Sequence, residues 1–316
     1  MSLLKVSNLS VAYTSKSVVK KCSFEVDRGE VVVILGSSGD GKTSLLKAIG
    51  GLINRKKGTI EFEGEAVLDP SEQLIPGHEL IRLVNQDFGL SQHHTVEENI
   101  RLKLLKFDKA YQNQRIKSLL RLMKLTPYRE HKATEISGGQ QQRLSIARAL
   151  ADEPELILLD EPFNQLDFQT KDKISKHLKR YLKKENIAAI MVTHNGIEAM
   201  EWADKIIYLE KGKIKRIDTP KEFFDNPNNE REASFFGELN KIVVSKQTHF
   251  FRPSFFSKTK KKGFDLKLDV EFISQEFLGW YSIYTFSHND QRFRLFSTDD
   301  LKNCKHIFIR TLTFND

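Results

Sequence analysis

The sequence predicts an α/β domain over residues 1–240 and a small all-β domain over residues 241–316. In the first region, unbroken apolar runs that are typical of strands buried on both faces occur at Val31–Leu35, Leu156–Leu159 and Ile187–Val192. Helical patterns lie between these runs. Strands that alternate with helices indicate a mostly parallel sheet with helices packed against it.

In the C-terminal region, polar and apolar residues alternate instead. The alternation runs from Phe264 to Phe272 and predicts a single strand with one buried face. Further strands are predicted at Trp280–Phe286, Arg292–Phe296 and Ile307–Phe314. Twelve of the 22 phenylalanines lie from Phe250 onward, which is enough bulky apolar surface for a separate core. A small β-sandwich or barrel is therefore expected.

Two further elements are predicted within the first region. Apolar residues recur at helical spacing within Tyr111–Leu125, where one stripe contains Ile116, Leu119, Leu120 and Met123. Because the surrounding segment shows no strand-like run, a helical subdomain is expected at about residues 87–136. The segment Lys205–Ile217 predicts two strands joined at Lys211 and Gly212, so antiparallel strands should flank the parallel sheet.

Length and composition exclude several classes of protein. A chain of 316 residues with 39% hydrophobic and 29% charged residues is typical of a globular protein with a substantial core. No run approaches the roughly 18 apolar residues of a membrane-spanning helix, and the N-terminus does not lead into a signal-peptide core. Since Cys22 and Cys304 form no disulfide framework or metal-ligand spacing, we expect a chain that stays in the reducing cytosol.

The net charge of +8 is compatible with binding to nucleic acid, to an anionic membrane surface or to an acidic partner. Charge alone does not choose among these. Most of the excess, +5, lies from Lys241 onward. The run Lys258–Lys262 in this tail could bind an anion, although such runs are usually solvated turns.

A phosphate-binding loop is predicted between the Val31–Leu35 strand and a helix that begins near Lys42. The segment matches G-x-x-x-x-G-K-[ST], in which glycines let backbone N–H groups surround phosphates at a helix N-terminus. Lys42 would hold β- and γ-phosphate oxygens, and Thr43 would bind Mg²⁺. The predicted nucleotide-binding residues of this loop are Gly36, Ser37, Ser38, Gly39, Asp40, Gly41, Lys42, Thr43 and Ser44.

Two adjacent carboxylates follow the second apolar run. Asp160, at the predicted strand end, is positioned to bind Mg²⁺ directly or through water. Glu161 could accept a proton from the water that attacks the γ-phosphate. An acidic loop after a strand is common in proteins, but together with a phosphate-binding loop it indicates nucleotide hydrolysis.

The segment Ile136–Arg143 resembles the signature sequence of ABC transporter ATPases. Physically it is a second anion-binding helix start, because Ser137 offers a hydroxyl group and the two glycines leave their N–H groups open. Because the phosphate-binding loop already serves the chain's own nucleotide, this second anion-binding segment makes sense only if it contacts a nucleotide bound to another subunit. The residues expected to act in trans are Ser137, Gly138, Gly139 and Gln140.

The resemblance extends over residues 1–240 in the order of the family's motifs, and it implies roles for residues that would otherwise be unremarkable. Tyr13 matches the aromatic residue that stacks on adenine, and Asp167 belongs to the loop at the dimer contact. Gln86 matches a glutamine that acts in catalysis and binds Mg²⁺, and His194 matches the histidine that contacts the γ-phosphate. Asp40 departs from the family pattern, because small residues are usual at its position.

The tail is similar, less specifically, to the accessory β-domain on ATPase subunits of bacterial importers for ferric iron, polyamines, sulfate or sugars. In that group the domain resembles an oligonucleotide-binding barrel. This similarity implies an OB-like domain and an importer. The segment 64–83 looks longer than is usual in the family, and its function is not indicated by the sequence.

The resemblance implies an ATP-hydrolysing subunit that uses ATP and Mg²⁺ and forms a homodimer. It would lie in the cytoplasm, peripherally on the inner face of the cell membrane. Its expected partners are integral-membrane permease subunits, through the helical subdomain, and a solute-binding protein, with no nucleic acid. The alternatives are the ATPase subunit of an exporter or lipid-release system, or a soluble ABC ATPase that acts on nucleic acid. The signature sequence argues against a nucleotide kinase or GTPase.

Overall fold

The computed structural model describes residues 2–14, 16–85 and 87–314, which form two compact units. The first unit comprises Met1–His194 and Glu201–Thr219, and the second comprises Asn195–Met200 and Pro220–Asp316. The boundary predicted after residue 240 stays a prediction.

The strands of the first unit, as described, are β1 (Leu4–Tyr13), β2 (Lys16–Val26), β3 (Val31–Leu35), β4 (Lys57–Phe62), β5 (Glu65–Ala66), β6 (Ile81–Val84), β7 (Leu156–Asp160), β8 (Ala188–Thr193), β9 (Lys205–Glu210) and β10 (Lys213–Asp218). The helices that precede β9 are α1 (Lys42–Ile49), α2 (Val96–Arg101), α3 (Lys109–Leu122), α4 (Gly138–Ala149), α5 (Phe168–Lys184) and α6 (Gly196–Trp202).

The main sheet of the first unit is mostly parallel, which confirms the predicted fold class. Its strand order is β10-β9-β3-β8-β7-β6, and only β10 pairs antiparallel to its neighbour. Strands β3, β7 and β8 are buried along their whole length, as their unbroken apolar sequences require. A second, antiparallel sheet has the order β2-β1-β4-β5.

The predicted helical subdomain lies between β6 and β7. Helix α3 begins after the N-cap Asp108, whose side chain accepts a hydrogen bond from the Tyr111 N–H at 2.9 Å. The predicted apolar stripe of this helical segment is buried, at Ile116, Leu119, Leu120 and Met123. Among the described residues, none of the helices is long and apolar enough to cross a membrane.

The second unit contains small β-sheets, which confirms the all-β character predicted for the tail. Its described elements are α7 (Pro220–Asp225), α8 (Glu230–Phe235), β11 (Asn240–Val244), β12 (Gln247–Phe251), β13 (Phe256–Ser257), β14 (Leu266–Asp269), β15 (Glu271–Phe277), β16 (Ser282–His288), β17 (Gln291–Ser297) and β18 (His306–Ile309). The sheets have the orders β11-β12, β13-β18-β14 and β15-β16-β17. Resemblance to an oligonucleotide-binding barrel stays a prediction.

The single strand predicted from Phe264 to Phe272 was wrong. Strand β14 ends at Asp269, and the chain then joins a different sheet as β15. The change occurs at Val270, whose N–H donates to the Lys305 carbonyl at 2.9 Å. Leu268 is fully buried, but Phe272 is 38% exposed, because the second half of the alternation belongs to another sheet.

A buried arginine organises the start of the C-terminal sheets. Arg252 is 1% exposed, and its guanidinium lies 4.6 Å from the centre of the Phe224 ring. The same group donates hydrogen bonds to the carbonyls of Ala233 at 2.8 Å and Gly237 at 3.1 Å. Burial lowers the pKa of Arg252 to about 10, so the guanidinium remains charged at neutral pH.

We expect Arg252→Ala to destabilise the C-terminal unit by about 2–4 kcal/mol, because the Ala233 and Gly237 carbonyls lose their donor and a cavity is left. Chemical unfolding followed by tryptophan fluorescence measures the loss. The exposed Lys260→Ala is the control and should change the free energy of unfolding by less than about 0.5 kcal/mol. An Arg252→Ala protein as stable as the control would contradict this assignment.

Candidate functional site

The phosphate-binding loop connects the buried strand β3 to helix α1 and takes a shape that only glycines allow. A Cβ atom on Gly36 would lie 2.3 Å from the Leu209 carbonyl oxygen. Gly41 has φ of 93°, and a Cβ there would lie 2.4 Å from the Val18 carbonyl oxygen. Backbone of neighbouring strands therefore encloses the loop from two sides.

Lys42 lies in the centre of this loop. Its ammonium group donates to the carbonyls of Gly36 and Ser37, each at 2.9 Å. Burial lowers the pKa of Lys42, while the carboxylates of Glu161, Asp40 and Asp160 raise it. A cleft of about 390 Å³ opens beside the lysine and is lined by Val18, Ser38, Gly39, Gly41, Lys42, Thr43, Ser44 and Glu161. The cleft has the size of a small-ligand pocket.

Asp40, which departs from the family pattern, holds the loop in place. Its carboxylate accepts a hydrogen bond from the Ser37 N–H at 2.8 Å and another from the Lys211 N–H at 2.8 Å. The Gly212 N–H donates to the Asp40 carbonyl at 3.1 Å. The side chain is 8% exposed. In this structure Asp40 therefore joins the loop to the turn between β9 and β10.

The acidic residues after β7 lie at the same edge of the sheet. The Thr43 hydroxyl donates to Asp160 Oδ1 at 3.3 Å, so the two predicted Mg²⁺ ligands are adjacent. Burial raises the pKa of the Asp160 carboxyl group, and the hydrogen bond from Thr43 opposes that rise. These are hard oxygen donors of the kind that Mg²⁺ prefers.

Glu161 and His194 are also brought together. The His194 Nδ1–H donates to Glu161 Oε1 at 3.0 Å, and the Asn164 amide donates to Glu161 Oε2. Glu161 has φ of 47°, a left-handed conformation that is uncommon outside glycine. Its carbonyl accepts a hydrogen bond from Gln142 Nε2 at 3.2 Å. Glu161 is therefore held by three residues, of which His194 and Asn164 contact the carboxylate and Gln142 contacts the backbone carbonyl.

Two of these supporting residues were not predicted as site residues. Asn164 is absent from the residues predicted from the sequence, and Gln142 is covered there only as part of the signature segment. The available signal for Asn164 is its position: a polar residue three positions after Glu161 can reach the carboxylate of Glu161. No sequence signal pairs Gln142 with Glu161, because 19 residues separate them and folding alone brings them together.

The signature segment forms the start of α4. Ser137 is its N-cap: its hydroxyl accepts a hydrogen bond from the Gln140 N–H at 3.3 Å, and Gln140 Oε1 accepts one from the Ser137 N–H at 2.8 Å. A Cβ on Gly138 would lie 2.5 Å from Gln165 Oε1. A Cβ on Gly139 would lie 3.0 Å from the Gln165 carbonyl oxygen. Gln165 therefore packs closely on the start of α4 and leaves little room for a larger residue at Gly139, whereas at Gly138 the neighbouring atom is the end of a flexible side chain.

Of the three remaining predicted residues, the structure describes Tyr13 and Asp167. Tyr13 is 48% exposed, and its hydroxyl accepts a hydrogen bond from the Ser44 hydroxyl at 3.3 Å. Asp167 is the N-cap of α5 and accepts a hydrogen bond from the Thr170 N–H at 3.0 Å. Gln86 lies outside the described residues. The functional roles of all these residues stay predictions.

We expect Asp40→Ala to weaken ATP binding by about tenfold, because two backbone N–H groups that hold the loop lose their acceptor, a cost of about 1–3 kcal/mol. Fluorescence titration with a labelled nucleotide measures this affinity. Asp27→Ala removes a carboxylate from an exposed turn and serves as the control. Unchanged affinity in Asp40→Ala would show that the loop keeps its shape without this anchor.

Comparison with known proteins agrees with this geometry. The sequence pattern of the ABC transporter family matches residues 19–164. The spermidine/putrescine import ATP-binding protein PotA of Bacillus cereus is 37% identical over 240 residues, which are 75% of this chain and 72% of the relative. The sulfate/thiosulfate import ATP-binding protein CysA of Pseudomonas syringae pv. tomato is 34% identical over 261 residues, 79% of this chain and 78% of the relative.

Solved structures show the same similarity. A dimeric ATP-binding cassette bound to ADP and Pi in a post-hydrolysis state is 30% identical, with a TM-score of 0.62 over 69% of this chain and 98% of that chain. The cbiO1 protein of Clostridium perfringens, part of an ABC transporter complex, is 26% identical, with a TM-score of 0.63 over 70% of this chain and 90% of that chain. The chain therefore belongs to the ABC transporter family, as an ATP-binding and ATP-hydrolysing subunit of the importer type.

Proposed function

We propose that two copies of this chain clamp ATP between the phosphate-binding loop of one copy and the signature helix of the other, and that hydrolysis releases the clamp. The observation that carries this proposal is the convergence of Lys42, Thr43 and Glu161 on one cleft. Among the described residues that line this cleft, none comes from the signature segment Ser137–Gly139. A second copy would supply that segment.

In the proposed reaction, water attacks the γ-phosphorus atom, and the bond from that atom to the ADP oxygen breaks. Glu161 takes a proton from the attacking water. His194 donates its Nδ1–H to Glu161, and its Nε2 would donate to the γ-phosphate when the ring carries both protons. Asn164 holds the second carboxylate oxygen, so Glu161 is oriented before substrate arrives.

Lys42 and the loop backbone would bind the phosphates. The Lys42 ammonium already has two carbonyl acceptors in the loop, so phosphate oxygens would replace or join these partners without a long movement. The N–H groups of Gly41 and Lys42 lie at the start of α1, where the helix dipole favours anions. The proposed adenine contact is Tyr13, whose exposed ring is held near the loop by Ser44.

Mg²⁺ is the proposed second cofactor, with Thr43 and Asp160 as its protein ligands, and Gln86 as the third suggested by the family. Among the described residues, no group of three or more His, Cys, Asp or Glu side chains could hold a metal. A site with few protein ligands suits Mg²⁺, which keeps water and phosphate oxygens in its coordination sphere. The ion would neutralise charge that develops on the phosphates.

The proposed assembly places the homodimer on the cytoplasmic face of the membrane, against integral-membrane permease subunits. The helical subdomain between β6 and β7 is the proposed permease contact, and a solute-binding protein is the proposed further partner. The two relatives named above import polyamines and sulfate or thiosulfate respectively. We propose a solute of one of these classes; uptake of labelled putrescine and sulfate by cells that lack this chain would distinguish them.

We expect Glu161→Gln to keep ATP binding and to lower the turnover number by about two to four powers of ten, the usual contribution of a positioned general base. A phosphate-release assay at saturating ATP measures turnover, and nucleotide titration measures binding. The exposed Glu185→Gln carries the same chemical change and should hydrolyse ATP at the normal rate. Normal hydrolysis by Glu161→Gln would remove Glu161 from the proposed role.

We expect Ser137→Arg to abolish nucleotide-dependent dimerisation, because a long cation would occupy the surface that the second copy's phosphates approach. Sedimentation velocity with a non-hydrolysable ATP analogue measures the dimer. Nucleotide binding by the monomer should be unchanged, since Ser137 does not line the cleft of its own chain.

Ser137→Thr is the matched control, because it keeps the N-cap hydroxyl and should dimerise. Dimerisation of Ser137→Arg as strong as that of the control would contradict the composite site.

A further inference from the structure

The first unit carries a second cleft, of about 570 Å³, that is separate from the residues that line the nucleotide cleft. It opens where the antiparallel sheet meets strand β10. Five of its lining residues are lysines, and the rest are two hydroxyl residues and one apolar residue. The lining residues are Ser10, Ser17, Lys20, Lys21, Lys56, Lys57, Lys213 and Ile214.

A β-bulge brings two consecutive lysines into this cleft. Neighbouring residues of a regular strand point to opposite faces, so Lys20 and Lys21 would normally diverge. Lys21 has φ of 52°, and the pairing of β1 with β2 shifts register between Leu9 and Val11. The Lys21 N–H donates to the Ser10 hydroxyl at 3.0 Å. The bulge therefore turns Lys21 so that it lines the cleft together with Lys20.

Two further segments add their lysines at the same place. Lys56 immediately precedes β4 and donates its N–H to the Ser10 carbonyl at 2.8 Å, and Lys57 is the first residue of that strand. Lys213 begins β10, which lies beside β2 through the hydrogen bond from the Lys20 N–H to the Gly212 carbonyl at 2.8 Å. Lysines from three strands thus converge.

These positive charges are not compensated by acidic side chains. The Lys20 ammonium donates to the Lys211 carbonyl at 3.1 Å. Within the described part of the chain, no carboxylate forms an ion pair with the other four lysines, Lys21, Lys56, Lys57 and Lys213. Like charges in one concave site repel one another and concentrate a positive potential, which a bound anion would relieve.

We propose that this lysine cleft binds a small soluble anion that carries several phosphate groups. Ammonium groups act as compact point charges, which suits tetrahedral phosphate groups approached from several directions. The volume of the cleft is that of a small-molecule pocket, and the two serine hydroxyls offer further donors. The site is distinct from the phosphate-binding loop, so one chain would hold two phosphate-rich ligands.

The test uses inorganic tripolyphosphate as the probe and isothermal titration calorimetry as the measurement. All proteins carry Lys42→Ala, so that the phosphate-binding loop contributes little. The reference protein should bind one tripolyphosphate per chain in a saturable titration. Adding Lys21→Gln and Lys57→Gln should weaken that binding at least about tenfold, since two contacting charges are lost while the aliphatic stems are largely kept.

The matched control adds Lys173→Gln and Lys183→Gln, which remove the same charge from the exposed side of α5. Its affinity should stay within about twofold of the reference, and circular dichroism melting should confirm that both variants are folded. Absence of saturable binding, or equal weakening in both pairs of substitutions, would overturn the proposal. Cleft-dependent binding of a single-stranded oligonucleotide without binding of tripolyphosphate would also overturn it, because the cleft would then be a nucleic-acid surface.

Discussion

Parallel pairing of β7, β8 and β3 is the constraint on which the nucleotide site depends. In this register Asp160 lies opposite Val192, and Thr193 lies opposite Leu35. The chain therefore leaves three neighbouring strands at one edge, and the residues that follow each strand become neighbours. Glu161 and His194 meet in a hydrogen bond although 33 residues separate them, and the phosphate-binding loop begins beside them.

The site is held together by backbone groups as much as by side chains. The Asp40 carboxylate accepts hydrogen bonds from two backbone N–H groups, and the Gln142 amide donates one to the Glu161 carbonyl. Such contacts cost side-chain entropy but prevent buried polar backbone from being left without partners. The Glu161 carboxylate is thus held in a fixed position, which is what its proposed role in a reaction based on positioning and charge stabilisation requires.

The nucleotide loop and the lysine cleft are two contrasting arrangements of positive charge. The nucleotide loop combines one buried lysine, Lys42, with oriented N–H groups and nearby carboxylates, so its positive charge is balanced locally. The lysine cleft instead gathers exposed ammonium groups with a bulge at Lys21 and no paired carboxylate among the described residues. Unpaired positive charge attracts anions most strongly at low salt, where it is least screened.

The sequence by itself determined the parallel core and the phosphate-binding loop that connects β3 to α1. Unbroken apolar runs specify strands that are buried on both faces, and the glycine spacing of the phosphate-binding loop leaves few other structures for that segment. The hairpin at Lys211 and Gly212 and the apolar stripe of α3 were equally readable, because each depends on neighbours a few residues apart.

Tertiary structure alone decided the features that depend on distant partners. The alternation from Phe264 to Phe272 is divided between two sheets at Val270, which no local period reveals. Asp40 was read as a misfit in a nucleotide loop, but its partner Lys211 is 171 residues away. The lysine cleft has the same origin: its lysines are scattered along the chain, and only a bulge and the packing of three strands place their charges together.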